Sequence, residues 1–189
     1  MSAQDSKLFV ISGPSGAGKG TLVTRVRERR SNLGLTVSAT TRAPRKGEVD
    51  GVNYFFLTRE EFDRRVANGE FVEWAEVHGN CYGTLVSEVQ YKLASGSSLS
   101  VEIDVQGALQ VKERFPEAVL IFIKPPSLEV LRERLVGRGT ETPETIELRM
   151  ANAADELALA DRYDDVVVND DLDRATDELV RVLDMHERI

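Results

Sequence analysis

Short apolar runs alternate along this chain with segments whose apolar residues recur at helical spacing. The apolar run at residues 8–11 ends in a glycine-rich turn and predicts a buried strand, and the next segment carries Leu22, Val23 and Val26 at helical spacing. The same reasoning predicts further strands at 98–104, 118–124 and 164–168, and helices at about 106–114, 127–137, 143–160 and 171–188. Alternating strands and helices predict an α/β fold with a parallel central sheet covered on both faces.

The region from about residue 35 to residue 97 has a different pattern. A polar loop with arginines at 40–52 precedes a strand-like segment at 54–57. Thr58 and Glu61 form the pattern of a capping box and predict the start of a short helix. A second strand-like segment follows at 70–78, and a helix is predicted from about Thr84 to Ala94. This mixture predicts an insertion into the α/β core.

Composition and charge narrow the class of protein. The 189 residues are 41% hydrophobic and 30% charged, which is typical of a soluble globular domain. The net charge of −8 argues against a broad nucleic-acid surface but permits a small anionic ligand in a cleft with clustered arginines. Cys81 is the one cysteine, so an internal disulfide is impossible. The apolar runs are far shorter than the roughly 20 residues of a membrane span, and residues 1–7 are polar, so we expect a cytoplasmic protein.

A phosphate-binding loop is the strongest single motif. Residues Gly13-Pro14-Ser15-Gly16-Ala17-Gly18-Lys19 match the pattern G-x-x-x-x-G-K between a predicted strand and a predicted helix. Glycines let backbone N–H groups point at a phosphate, the helix start adds its positive dipole end, and Lys19 adds a mobile cation. An ordinary glycine-rich turn is the alternative, but the strand before and the helix after favour a nucleotide site.

The loop departs from the pattern at one position. Gly20 stands where Ser or Thr usually follows the lysine, and Thr21 comes one residue later. A hydroxyl that binds Mg²⁺ directly is therefore not expected next to Lys19, and phosphates and water are expected to hold the ion. The variant G-K-G-T is similar to that of adenylate kinases.

Motifs in one order along nearly the whole chain, about 5–187, resemble the guanylate kinase family. They are the loop at 13–21, Ser38-Ala39-Thr40-Thr41-Arg42-Ala43-Pro44-Arg45, Gly47-Glu48-x-x-Gly51-x-x-Tyr54-x-Phe56, Phe71-Val72-Glu73-Trp74-Ala75, Tyr82-Gly83-Thr84, Ile103-Asp104-x-Gln106-Gly107 and Arg138-Gly139-Thr140-Glu141-Thr142. The resemblance implies a three-layer P-loop NTPase fold. Its core would comprise 1–34, 98–136 and 150–189, with an inserted mixed α/β GMP-binding lobe at 35–97 and a helical lid at 137–149. The implied reaction is ATP + GMP to ADP + GDP with Mg²⁺, in purine nucleotide metabolism and GMP recycling.

The resemblance also implies which residues bind GMP. Arg42 and Arg45 would clamp its phosphate, because guanidinium groups match phosphate geometry and stay charged. Tyr54 and Tyr82 would contact the same phosphate. The residues implied to read guanine are Ser38, Glu73, Thr84 and Asp104. A carboxylate such as Glu73 accepts hydrogen bonds from guanine N1–H and the 2-amino group, which adenine cannot both supply.

Further residues are implied to bind ATP and to act in the transfer. The ATP site would comprise Gly13, Pro14, Ser15, Gly16, Ala17, Gly18, Lys19, Gly20 and Thr21, with Arg134 over the base and Asn169 at the adenine. Lys19, Arg45, Arg138 and Arg149 would neutralise the transferring phosphate. The metal ligands stay open, since Asp104 ends a strand and can hold Mg²⁺ through water, while Glu102 stands where the family often has Asp.

Two other functions compete with this hypothesis. Guanylate-kinase-like domains of scaffolding proteins bind phosphopeptides without catalysis, and other kinases of the fold phosphorylate different acceptors. The retained lysine and lid arginines favour the enzyme. We expect GMP and ATP as partners, no nucleic acid or membrane, and a monomer or weak homo-oligomer. Cys81 is expected to be structural, Trp74 to serve packing, and His78 and His186 not to form a metal pair.

Overall fold

A computed structural model describes residues 6–77, 79–137, 139 and 142–187. In chain order its elements are β1 (Leu8–Ser12), α1 (Lys19–Arg29), β2 (Ser38–Thr40), β3 (Phe55–Phe56), α2 (Arg59–Ala67), β4 (Phe71–Val77), β5 (Asn80–Leu85), α3 (Val86–Ala94), β6 (Leu99–Glu102), α4 (Val105–Arg114), β7 (Val119–Lys124), α5 (Leu128–Gly137), α6 (Pro143–Leu157), β8 (Asp165–Val168) and α7 (Leu172–Glu187). A short 3-10 helix at Ala160–Arg162 lies between α6 and β8.

The central sheet is parallel, and its strands follow the order β6-β1-β7-β8 among the described residues. Every residue of β1 is buried. Its side chains alternate, so Leu8 and Val10 join the apolar core on one face, while Phe9 and Ile11 join the core on the other face. The first core includes buried residues of α4, and the second includes those of α1 and α7. The predicted α/β fold with a parallel sheet covered on both faces is therefore confirmed.

A second, mixed sheet is built from the middle of the chain. Its strand order is β3-β2-β5-β4, in which β2 and β3 are parallel and β5 is antiparallel to both β2 and β4. Helix α2 covers this sheet with Phe62, whose ring stacks on Phe71 at 4.4 Å between centroids. The sheet and helices α2 and α3 lie within the segment 35–97, whose limits as a separate lobe stay a prediction.

Strand β5 is the main difference from the sequence-based expectation. The predicted helix from Thr84 begins two residues later, at Val86, and residues 80–85 instead form a strand between β2 and β4. Pairing on both sides overrides the local pattern. A Cβ on Gly83 would lie 2.8 Å from the carbonyl oxygen of Glu73, so the close approach of the two strands requires glycine there.

The capping box of α2 is only half formed. The Thr58 hydroxyl accepts a hydrogen bond from the Glu61 backbone N–H, at 3.1 Å. The Glu61 carboxylate accepts bonds from Arg64 and Arg65 rather than returning to the backbone of Thr58. The helix start is therefore predicted correctly, while the reciprocal bond of the box is replaced by ion pairs on the helix surface.

Cys81, Trp74 and His186 have ordinary structural surroundings. Cys81 is fully buried in the small core under α2. The ring of Trp74 is half exposed and meets Phe62 edge-on at 6.2 Å between centroids. The Nε2 atom of His186 lies 2.6 Å from Asp165, while His78 lies outside the described residues. Within the described part of the chain, none of the helices has the length and apolar character needed to cross a membrane.

A buried ion pair ties the end of α1 to the end of α7, and it gives a stability prediction. Arg30, 8% exposed, donates to Glu187, 6% exposed. Replacing Arg30 with alanine removes the buried cation that is bonded to Glu187 and pairs with Asp184, so we expect the free energy of unfolding to fall by about 3–5 kcal/mol in urea titrations. The control is Arg29→Ala, which removes the exposed pair with Asp177 and is expected to cost less than about 1 kcal/mol. Equal losses in the two variants would contradict the prediction.

Candidate active site

The glycine-rich loop connects the most buried strand of the sheet to α1. It runs from the end of β1 to Gly18, which is the N-cap of α1 with a φ of 92°. Gly13 has a φ of 138°, and a Cβ there would lie 2.3 Å from the carbonyl oxygen of Ile123 on β7. The loop is therefore pressed against the sheet, and only glycine fits at its first position. The N-terminus of α1 lies at the end of this loop, where a helix start favours binding of a phosphate through its backbone N–H groups.

Lys19 is the cation at the centre of this loop. Its Nζ donates to the carbonyl oxygens of Gly13 and Pro14, at 2.5 and 3.0 Å. Burial raises the pKa of Glu102 and of Glu156, and the charge of Lys19 opposes that rise for both carboxyls. Lys19 therefore lies near two partly buried acids, so positive and negative side chains occur together beside the loop.

One arginine of the predicted lid reaches the loop. The Nη1 atom of Arg149, on α6, donates to the hydroxyl of Ser15. Ile146 and Ala153 on the same helix pack against Leu131 and Leu135 of α5 in a small apolar core. The packing of the two helices thus places Arg149 beside the glycine loop. Arg138, the other predicted lid arginine, lies outside the described residues.

Arg134 and Asn169, both predicted at the ATP base, lie together against the backbone of the loop. The Arg134 guanidinium donates to the carbonyl oxygens of Asn169 and Ala17, at 2.8 and 3.4 Å. The buried amide of Asn169 donates to the same Ala17 carbonyl at 2.8 Å. The two side chains are therefore braces of the loop, and their contact with a base stays a prediction.

Three of the predicted guanine-reading residues form one row across the mixed sheet. Thr84 on β5 pairs with Ser38 on β2 and with Glu73 on β4. The Thr84 hydroxyl donates to the Glu73 carboxylate at 2.8 Å. The strand pairing therefore brings together residues that are 46 positions apart at the extremes (Ser38 and Thr84).

Asp104, the fourth of these residues, faces the row from the other sheet. It is the N-cap of α4, where its Oδ1 accepts from the Gly107 backbone N–H at 2.7 Å. A cleft of about 360 Å³ between β4 and α4 is lined by both Glu73 and Asp104. Burial raises the pKa of Glu73, and the charge of Asp104 raises it further, while the hydrogen bond from Thr84 lowers it. Two carboxylates thus face one cleft. Because carboxylates accept hydrogen bonds, the cleft suits a ligand with several N–H donors.

The predicted phosphate clamp is organised by a carboxylate. Arg42 donates to both oxygens of Glu48, at 2.8 and 3.1 Å, and the Arg45 backbone N–H donates to Glu48 at 2.7 Å. The bond with Glu48 raises the pKa of Arg42 and lowers that of Glu48. The Arg42 guanidinium lies 5.4 Å from the ring centroid of Tyr54, which meets the ring of Tyr82 edge-on. The predicted phosphate contacts are therefore neighbours.

A family model described as guanylate kinase matches residues 5–186. The chain belongs to the guanylate kinase family. It is 56% identical over 178 residues to a guanylate kinase of Gloeobacter violaceus, covering 94% of this chain and 87% of that protein. It is 51% identical over 183 residues to one of Halalkalibacterium halodurans, covering 97% and 90%. The crystal structure of guanylate kinase from Anaplasma phagocytophilum superposes with a TM-score of 0.70 at 36% identity, covering 97% of this chain and 87% of that one.

The residues beside the loop fit the Mg²⁺ that guanylate kinases are expected to use with ATP. Among the described residues, no group of three or more His, Cys, Asp or Glu could hold a metal ion alone. One carboxylate with phosphate oxygens and water is a usual setting for Mg²⁺. The Glu102 carboxylate lies beside the loop, since a Cβ on Gly20 would be 3.6 Å from Glu102 Oε2. Gly20 therefore leaves open the space between the loop helix and that acid.

Two acids of the guanylate kinase site carried no assigned role in the sequence analysis. Glu48 accepts hydrogen bonds from the Arg42 side chain and the Arg45 backbone. Its place in the family motif, three residues after Arg45, was visible in the sequence. Glu156 on α6 is coupled to Lys19 and Asp104 through charge. It lies in a generally acidic stretch, so only the packing of α6 distinguishes it from its exposed neighbours.

Proposed function

We propose that this chain transfers the γ-phosphoryl group of ATP to GMP, giving ADP and GDP, with the ATP phosphates at the glycine loop and the guanine base in the cleft between β4 and α4. As a guanylate kinase it is a nucleoside monophosphate kinase, a phosphotransferase. One observation carries the assignment of the site. Glu102 ends β6 and Asp104 follows it, while the glycine loop follows β1, which is the parallel neighbour of β6. The ends of adjacent parallel strands therefore bring Glu102, the guanine-reading acid Asp104 and the phosphate loop to the same edge of the sheet.

The acceptor needs positioning rather than a catalytic base. The second pKa of a phosphate monoester is near ~6, so the GMP phosphate is largely a dianion at neutral pH and its oxygen is already a nucleophile. The obstacle is repulsion between two anionic groups, together with competing water. We assign neutralisation to Lys19, Arg45, Arg138 and Arg149, of which Arg149 already touches Ser15 of the loop. Arg42, Tyr54 and Tyr82 would orient the phosphate of GMP.

We assign guanine selectivity to the row of residues across the mixed sheet, together with the acid on the other side of the cleft. They are Ser38, Thr84, Glu73 and Asp104. Glu73 would accept from N1–H and the 2-amino group, with Ser38, Thr84 and Asp104 completing the set. The hydrogen bond from Thr84 fixes one Glu73 oxygen and so orients the other toward the cleft. Adenine would place an acceptor nitrogen against a carboxylate, which is repulsive and leaves both groups without a partner.

Mg²⁺ is proposed as the cofactor, with Glu102 as its protein ligand through water. The ion supplies neutralisation of phosphate charge when it is bound. Glu102 contributes a carboxylate whose raised pKa arises from burial, and which faces Lys19. We further propose that the protein is cytoplasmic and acts as a monomer or weak homo-oligomer, without nucleic-acid or membrane partners.

The direct test measures ADP release with ATP and Mg²⁺ against GMP, AMP, CMP, UMP and IMP as separate acceptors. We expect GMP to be strongly preferred, because it alone among these offers both donors to Glu73. A preference for another acceptor would refute the assignment to Glu73 and Asp104. GMP binding without any turnover would instead support a binding module of the same fold.

A further inference from the structure

Arg114, the last residue of α4, contacts the backbone at the start of β4. Its Nη1 donates to the carbonyl oxygen of Phe71 at 2.7 Å, and its Nη2 donates to that of Gly69. The planar guanidinium places its donors as a fork, so it can serve both carbonyls at once. A helix of the central core is thus bonded directly to a strand of the mixed sheet.

The Phe71 carbonyl needs a donor because β4 lies at the edge of its sheet, and the Gly69 carbonyl lies just before that strand. Among the described residues the strand order ends β5-β4, and the pairing of β4 with β5 is irregular between Phe71 and Glu73. Backbone groups on the outer side of an edge strand find no partner in the sheet. Arg114 supplies that partner from α4, on the side of β4 that faces the cleft.

The same two elements carry both guanine-reading acids. Asp104 caps the first turn of α4, and Arg114 ends that helix. Glu73 follows Phe71 by two residues on β4. Gly69, Glu73, Asp104 and Arg114 all line one cleft. A short helix moves as a unit, so the bonds at the Arg114 end of α4 restrain how far its Asp104 end moves away from β4.

Electrostatic repulsion between the two acids depends on the distance between β4 and α4. Glu73 and Asp104 carry like charges, and the charge of Asp104 opposes ionisation of Glu73. Their repulsion favours a wider separation of β4 from α4. The bonds from Arg114 to two carbonyls oppose that widening, and they do so without placing a cation on either acid.

We propose that Arg114 is a positioning residue for GMP, which sets the distance between Glu73 and Asp104 by holding β4 against α4. It acts through the backbone of β4 and does not touch the nucleotide. This inference rests on the proposed guanine-reading role of the two acids. It concerns binding of the acceptor base and leaves the chemical step and the ATP site unaffected.

The test compares steady-state kinetics of Arg114→Gln with those of Lys112→Gln. Lys112 lies on the same helix, but its Nζ donates to the Ala118 carbonyl and the Asp164 carboxylate and not to β4. For Arg114→Gln we expect KM for GMP to rise about tenfold, in keeping with the loss of hydrogen bonds from a charged donor. We expect kcat at saturating GMP and KM for ATP to stay within about twofold, and discrimination against IMP, which lacks the 2-amino group, to weaken. Lys112→Gln should leave all four quantities unchanged.

Arg114→Lys is the milder variant and keeps the test valid if the glutamine variant folds poorly. A lysine keeps the charge but cannot span two carbonyls with a fork, so we expect a KM for GMP about threefold above that of the parent chain. Unchanged KM for GMP in a folded variant, or equal losses in KM for GMP and ATP, would overturn the inference. Glu73→Gln in the same assay separates the two hypotheses. If KM for GMP rises in Glu73→Gln but not in Arg114→Gln, the positioning role alone fails. If KM for GMP rises in neither variant, the guanine-reading assignment fails as well.

Discussion

Lys19→Met is expected to lower kcat for GMP phosphorylation by at least about 10²–10³-fold, the loss typical of removing one preorganised donor at a developing charge. The Lys19 amine bonds to two carbonyls of the loop, where the terminal phosphates of ATP are proposed to lie. Methionine keeps the unbranched stem and removes the charge together with the two bonds to loop carbonyls, while Gly13 still holds the loop against β7. A coupled assay of ADP release at saturating ATP and GMP measures the change.

Lys7→Met is the matched control for this variant. Lys7 immediately precedes β1, whereas the loop leaves the opposite end of the same strand. The control therefore removes one positive charge from the same strand–loop unit without touching the phosphate site. We expect kcat within about twofold of the parent chain, since a partly exposed charge at the far end of β1 from the loop is screened from the reaction. Comparable turnover in Lys19→Met and the parent chain would exclude the proposed phosphate site.

Glu73→Gln is expected to lower kcat/KM for GMP by about 10²–10³-fold, because hydrogen bonds to a charged acceptor contribute roughly 1.5–3 kcal/mol each. The amide keeps one acceptor oxygen for guanine or for Thr84, but it presents an N–H group where the second oxygen was. The KM for ATP should change little. Glu76→Gln is the control, because Glu76 lies on the same strand but is exposed and paired with Arg59. Equal losses for GMP and ATP would refute the guanine-reading role.

The same substitution should not destabilise the fold. Burial raises the pKa of Glu73, so its ionised form disfavours folding at pH values above the pKa of the unfolded chain. This cost is present at neutral pH and disappears as the pH falls and the carboxyl becomes protonated in the folded state. Glu73→Gln should therefore be at least as stable as the parent chain at pH 7, with the difference shrinking on acidification. Urea titrations at pH 7 and pH 5 measure it, and a less stable variant at pH 7 would contradict this account.

The central fold was predictable because its signals are local. A continuous apolar run, a glycine loop and helical spacing occur in order at residues 8–26, and each is visible without knowledge of distant contacts. Strand β5 was not predictable in this way. Its residues form a strand because β2 and β4 pair with it on both sides, and Gly83 removes the side chain that would obstruct β4.

Knowledge of the guanylate kinase family gave the candidate residues, but not what holds them in place. The row of Ser38, Thr84 and Glu73 depends on strand pairing, which the chain pattern did not predict. Glu48 was visible in the motif, yet its bonds to Arg42 and Arg45 depend on the path of the loop. Arg134 was predicted only as a base contact, whereas in the structure its guanidinium donates to the Ala17 carbonyl of the loop.

The covered edge of β4 also bears on solubility. A long bare edge strand is a template onto which another polypeptide can add, and this is a common route to aggregation. At one edge of the mixed sheet, β3 is only two residues long. At the other edge, β4 spans seven residues, but Arg114 bonds to the carbonyl of its first residue, Phe71, and to that of Gly69 just before it. The Arg114 side chain, proposed to position the two acids of the cleft, therefore also obstructs strand addition from a second molecule.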